Sequence, residues 1–190
     1  MEAKEVRYTY ADYITWDDID DDGSFIRYEL ICGIPQAMGP APTPRHQAIS
    51  GRLFTQLTKD LKGKTCEVFA AHFEVRLNPD ARDDTVVQPD ITVICDLKKI
   101  DNRGCKGAPD MIVEILSKSS ARTDRYVKFK LYQDAGVKEY WIIDPQTQTL
   151  DVNLLGNGVY ENSKYGADAL VFVEVLGCVV SLAKVFDFAW

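Results

Sequence analysis

The chain has 190 residues, 46% of them hydrophobic, and a formal charge of −7. That size and apolar content suffice for one domain, residues 1–190, whose core needs neither cofactor nor staple. The negative charge argues against an indiscriminate nucleic-acid coat, and no run approaches the roughly 20 apolar residues that span a bilayer.

The opening stretch MEAKEVRYTYADYITWDD lacks a basic start followed by an apolar run, so a soluble cytoplasmic protein without membrane contact is expected. Within it, TYADYITW forms a short helical pattern with Thr9 as N-cap. FIRYELICGIPQAM, β-branched and aromatic but broken by Gly33 and Pro35, predicts a hairpin. After the stiff loop GPAPTP, residues 46–61 place Ile49, Leu53, Leu57 and Leu61 four apart, the stripe of an amphipathic helix.

CEVFAAHFEVRL alternates as one or two strands; DDTVVQPDITVICD reads as a strand entered through Pro89, and GAPDMIVEIL as another entered through Pro109. TDRYVKFKLYQDAG predicts a helix capped at Thr123 or Asp124 and stopped at Gly136, followed by the strand KEYWIID. TLDVNLL and GVYENS form a hairpin, and ALVFVEVLGCVVSLAKVF ends as a docking strand and a short helix. This order predicts an α/β domain with a mixed sheet and helices packed against it. The five cysteines (Cys32, Cys66, Cys95, Cys105, Cys178) show no C-x-x-C spacing and read as reduced thiols, neither disulfide framework nor zinc site.

Charge is unevenly spread. Residues 12–29 carry seven acids against Arg27, whereas residues 103–138 carry eight cations against four acids, a stretch suited to a polyanion. DIDDDGSFIRYE, Asp18 to Glu29, satisfies the spacing of a calcium-binding EF-hand loop. The exiting helix such a loop requires is replaced by LICGIPQAMGPAP, and no second loop exists, so the acids are expected to form a solvated turn.

Two acids interrupt apolar strands: Asp90 in VQPDITVIC and Glu114 in DMIVEILS. A buried carboxylate is costly unless paired or metal-bound, and neighbouring strands about 4.8 Å apart let two of them share one hard cation. On the following helix, 100° per residue places Lys128 between Asp124 and Tyr132 and turns Lys130 outward, so Lys128 faces inward. There it orients water or stabilises a phosphoryl group, or else forms a structural salt bridge to Glu114 or Asp124.

These residues carry a resemblance. Pro89-Asp90, VEIL with Glu114, and DRYVKFKLYQDAGVKEYWIIDP, together with RYELICG and PRHQAISGRLFTQL, resemble the Uma-two family of restriction-endonuclease-like proteins in the PD-(D/E)XK nuclease superfamily. The resemblance implies a restriction-endonuclease-like core of helix, three strands, helix and strand, here with added N- and C-terminal hairpins. It also implies magnesium-dependent cleavage of DNA, with Mn²⁺ as the alternative ion, and is compatible with a homodimer. Asp90 and Glu114 correspond to the metal ligands, with the backbone carbonyl of Ile115 as a further oxygen. Leu116 stands where the superfamily has its lysine, and Lys128 on the following helix takes that role. Glu29 matches a position the family keeps acidic and is expected to help line the site. Cys32 and Lys118 depart from the family pattern, which commonly has an acid and a proline there.

His46, opening the long helix, is a candidate contact for a phosphate or a site carboxylate, while His72 reads as structural. A non-catalytic nuclease-fold protein that binds DNA or regulates a partner is the alternative, motivated by the acidic charge and the lack of a target-reading segment. A calcium sensor is the third reading, motivated by Asp18 to Glu29 alone.

Overall fold

The computed structural model describes residues 6–16, 26–59, 61 and 64–188. The aspartates of the calcium-loop pattern (Asp18, Asp20, Asp22) lie outside this set. Glu29 itself sits in a hairpin, as expected: β1 (Tyr28–Ile31) turns through Cys32 and Gly33, both at positive φ, into β2 (Ile34–Ala37). Pro35 is tolerated because β2 is an edge strand. Upstream, α1 (Tyr10–Tyr13) starts at Thr9, whose N–H and hydroxyl both donate to Asp12.

Three members of the stripe, Ile49, Leu53 and Leu57, form the fully buried inner face of α2 (Pro44–Lys59), whereas Leu61 falls beyond the end of the helix. The helix opens two residues before the expected start at His46, because Thr43 Oγ1 accepts the His46 N–H and Pro44 sits where a missing N–H is harmless.

The strands β3 (Glu67–Ala70), β6 (Ile91–Ile94), β8 (Met111–Ile115), β9 (Glu139–Asp144), β10 (Thr149–Gly156) and β11 (Val159–Tyr165) form the main sheet, in the order β11-β10-β9-β8-β6-β3. Only β8 and β9 run parallel; the others are antiparallel, giving the mixed sheet expected. The crossover between β8 and β9 is a π-helical turn (Thr123–Lys128) continuing into α3 (Phe129–Ala135). Helix α2, strands β3, β6 and β8, this helix and β9 reproduce the helix, three strands, helix, strand core. Gly136, in the left-handed region, ends α3 as predicted, but Thr123 and Asp124 are helix interior rather than caps.

A second sheet, β2-β1-β5-β4-β7, is built from pieces the sequence leaves merged or unmarked: β4 (Glu74–Arg76), β5 (Val86–Val87) and β7 (Gly104–Lys106). DDTVVQPDITVICD is therefore two strands, not one. The chain leaves the second sheet after Val87 and enters the main sheet at Ile91, crossing through Gln88, Pro89 and Asp90. At the C-terminus the single docking strand is corrected to a hairpin, β12 (Leu170–Val173) and β13 (Cys178–Ser181), before α4 (Leu182–Val185).

Alternation sorts the main sheet into two faces. Ile91, Val93, Met111, Val113, Ile115, Trp141 and Ile143 pack against α2, the β12-β13 hairpin and α4. Ile94, Ile112, Leu116, Tyr140 and Ile142 pack with Tyr132 of α3 and with Ile31, Val75 and Val87 of the second sheet. Glu114 belongs to this second face by its position between Ile112 and Leu116.

The cysteine reading is corrected as well: Cys66 and Cys95 form a disulfide. They continue the β3-β6 register one step beyond the Glu67–Ile94 pair, so antiparallel pairing rather than sequence spacing brings them together. Cys32 and Cys105 are free thiols.

Candidate active site

The crossover between the sheets ends at Asp90 and thereby places it. In the β6-β8 ladder Ile91 pairs with Val113, so the register continued one step sets Asp90 opposite Glu114. The two are tied by the backbone: Asp90 Oδ2 accepts the Ile115 N–H at 2.7 Å. An antiparallel register thus fixes both candidate ligands and Ile115 at one end of adjoining strands.

Glu114 is buried, and its Oε1 accepts hydrogen bonds from Lys128 Nζ at 2.9 Å and Tyr132 Oη at 2.8 Å. Lys128 faces inward, as the helical geometry predicts. Its Nζ also donates to Glu29 Oε1 at 2.8 Å, and Asp124 Oδ1 lies 3.7 Å away. Glu29 is held in turn by the Gln88 N–H at 2.8 Å. The second sheet supplies Glu29, the crossover Gln88 and Asp90, the main sheet Glu114 and the helix Lys128. Every residue singled out for the site is brought together.

Within this cluster three carboxylates (Glu29, Glu114, Asp124) face one lysine, and Asp90 adds a fourth negative charge beside Glu114. Burial raises the pKa of Glu114 well above the ordinary carboxylate value; Lys128 opposes the rise, and Asp124, Asp90 and Glu29 add to it. Burial likewise lifts Asp124 to about 6, again opposed by Lys128. For Lys128, burial works against the charge, but Glu114, Glu29 and Asp124 more than offset it and raise the pKa, so the ammonium is retained. Lys128 is therefore a fixed cation and hydrogen-bond donor, and no general base at neutral pH.

His46 lies beside the same strand ends, with Nε2 3.2 Å from Asp90 Oδ2. Of the two contacts expected for it, phosphate or site carboxylate, the structure displays the carboxylate. Asp124, which the sequence offers both as a helix cap and as a salt-bridge partner of Lys128, takes the second role and is 2% exposed. Two members of the cluster escape a reading of the sequence. Tyr132 has the periodicity of packing; its ring is buried in the core, but its hydroxyl serves Glu114. Gln88 carries no signal, because its backbone N–H is what binds.

The basic stretch is less available to a polyanion than its sequence suggests. Lys130 pairs with Asp134, Lys138 with Asp110, and Arg125 with Asp144 and Asp151, whereas Arg103, Lys106, Lys118 and Arg122 are exposed.

The model of the Uma2 family, described as "Putative restriction endonuclease", matches residues 10–183. The chain belongs to this family. A crystal structure described as a "putative nuclease belonging to DUF820" from Anabaena variabilis superposes on this Uma2 chain with a TM-score of 0.72. It shares 22% identity over 94% of this chain and 97% of its own, a likeness of fold. An uncharacterized protein of Synechocystis sp. is 25% identical over 142 residues, 74% of this chain and 70% of its own length. No helix among the described residues is long and apolar enough to cross a membrane.

Proposed function

We propose that this chain is a divalent-metal-dependent endonuclease that hydrolyses phosphodiester bonds of DNA, with Asp90 and Glu114 as the ligands of Mg²⁺ or Mn²⁺. The observation that carries the reading is the register that sets these two carboxylates opposite each other on adjoining strands. Membership of the family supports the reaction class.

The residues fit a hard ion. Asp90 and Glu114 each commit one carboxylate oxygen to protein donors, and among the described residues no hydrogen bond reaches Asp90 Oδ1 or Glu114 Oε2. Asp124 Oδ1 is buried without a hydrogen-bond partner, which marks a cluster richer in negative charge than its one lysine neutralises. Magnesium characteristically takes one or two carboxylates and completes its shell with water and phosphate oxygens, so two side chains and the Ile115 carbonyl suffice. When bound, the ion would polarise the scissile phosphate and lower the pKa of water.

The chain's own residues supply orientation. Lys128 and Tyr132 fix the Glu114 carboxylate, Glu29 fixes Lys128, and the Ile115 N–H fixes Asp90. Exposed Lys118 and Arg122, between Glu114 and the helix, are available to the DNA backbone. Two copies of the chain, one per strand, would cut a duplex.

The test is nicking and cleavage of plasmid and linear DNA with Mg²⁺ and Mn²⁺ by the wild type, Asp90→Ala and Lys128→Ala, with circular dichroism as the control for folding. Metal-dependent cutting that both folded variants lose is expected; unchanged cutting by both would overturn the assignment.

One observation favours the second reading, a nuclease fold that binds DNA without cutting it. Among the described residues no group of three or more His, Cys, Asp or Glu side chains is placed to hold an ion. DNA binding without cleavage across both metals and both substrates would decide for it.

A further inference from the structure

His46 touches the candidate metal ligands in a way that a merely structural histidine does not. Its Nε2 lies 3.2 Å from Asp90 Oδ2, and the same ring faces the backbone carbonyl of Ile115. These are two of the three groups assigned to the metal. The ring's other nitrogen, Nδ1, is buried with no hydrogen-bond partner. A histidine placed for structure alone ordinarily satisfies both nitrogens when buried, whereas this one is anchored on one side only.

We infer that His46 and the divalent ion are alternative partners of Asp90 and Ile115. In this role the Nε2–H of His46 holds the two oxygens in place until metal binds, and the ion then displaces the ring. The inference rests on the proposed metal site and adds to it a positioning residue that opposes metal binding.

Two features support it. The donor is the right kind, because an imidazole N–H presents positive hydrogen to the same carboxylate that a hard cation would take. The displacement is also feasible. His46 stands in the first turn of α2, its side chain is 12% exposed, and swinging it outward breaks no bond at Nδ1.

Lys128 does not duplicate this role. It contacts Glu114 and Glu29, and Asp90 is held by the Ile115 N–H and His46 alone among the described side-chain contacts.

The experiment is calorimetric titration of Mn²⁺, without DNA, into the full chain as wild type, His46→Ala, His46→Gln and Asp90→Asn. The expected result is binding by the wild type and loss in Asp90→Asn. His46→Ala should bind roughly three- to tenfold tighter, the scale of one displaced hydrogen bond. His46→Gln, whose amide N–H reaches to a similar place, should return toward the wild type and guards against a folding effect in the alanine variant. Equal or weaker binding by a folded His46→Ala, with Asp90→Asn still defective, overturns this inference and leaves the metal site standing. Equal binding by wild type and Asp90→Asn, or none by any variant, overturns the metal site itself. A second readout is independent of affinity. The chain has two histidines, so the ring nitrogens of His46 are readily resolved by ¹H–¹⁵N NMR. Saturation with Mg²⁺ should shift them as the bond to Asp90 is lost; unmoved resonances at saturation reject the displacement.

Discussion

Lys128 reaches Glu29 across 99 positions of sequence, Nζ to Oε1 at 2.8 Å, with both side chains buried. A helix that begins between two strands of the main sheet is thereby joined to a hairpin of the second sheet, and the joint runs through the candidate active site. The pairing is a packing constraint as well as a chemical one.

Removing one member of this pair strands the other. Lys128→Met leaves Glu29 and Glu114 buried without their cation and is expected to cost about 3 to 5 kcal/mol in urea unfolding, the range for breaking a buried pair. Glu29→Gln should cost less, since Glu114 still serves the lysine. The double variant should lose less than the sum of the two, and additive losses in a double-mutant cycle would show that neither holds the other.

The pH dependence of stability follows from Asp124. Its pKa is raised from 3.8 to about 6, chiefly by burial, so between those values the folded chain binds more protons than the unfolded chain. The contribution is complete below pH 3.8 and is lost as pH rises through about 6. Relative to Asp124→Asn, the wild type should therefore weaken from about pH 4 to about pH 7. Urea midpoints for both proteins across that interval measure it, and parallel curves would contradict the burial of this carboxylate.

Tyr132→Phe keeps the buried ring and deletes one of the two donors to Glu114 Oε1. The expected stability loss is about 1 kcal/mol, the net value of a hydrogen bond. If Glu114 is a metal ligand, the variant should also change the metal concentration needed for half-maximal cleavage, and should do so more than it changes the apparent affinity for DNA. A change confined to DNA affinity would place Tyr132 outside the site.

The Cys66–Cys95 disulfide closes a loop between residues 29 apart. Reduction, or Cys66→Ser with Cys95→Ser, is expected to lower stability by about 3.5 kcal/mol on the loop-entropy scale. Thermal melts with and without reductant compare the two forms. Since the bond lies at the ends of β3 and β6 away from Asp90, DNA cleavage at low temperature should survive its loss.

By itself the sequence determined what local geometry controls. The stripe of Ile49, Leu53 and Leu57, spaced four apart, specifies the helix that packs on the main sheet, because side chains four apart share one helical face. Asp90 and Glu114 stand out because ionisable groups in apolar strands need compensation. Lys128 can be aimed inward from helical rotation alone, and the same rotation places Asp124 beside it. Only the tertiary structure decided which partners those groups meet. Strands of two to four residues, such as β5 and β7, have too few positions to announce themselves. Their sheet is chosen by long-range pairing, and that choice carries Glu29 to Lys128. Register set Asp90 opposite Glu114 and joined Cys66 to Cys95, and the start of α2 brought His46 onto Asp90. Local periodicity fixes the direction of a side chain; the identity of its neighbour is fixed by contacts between segments whose spacing in the chain bears no relation to their distance in space.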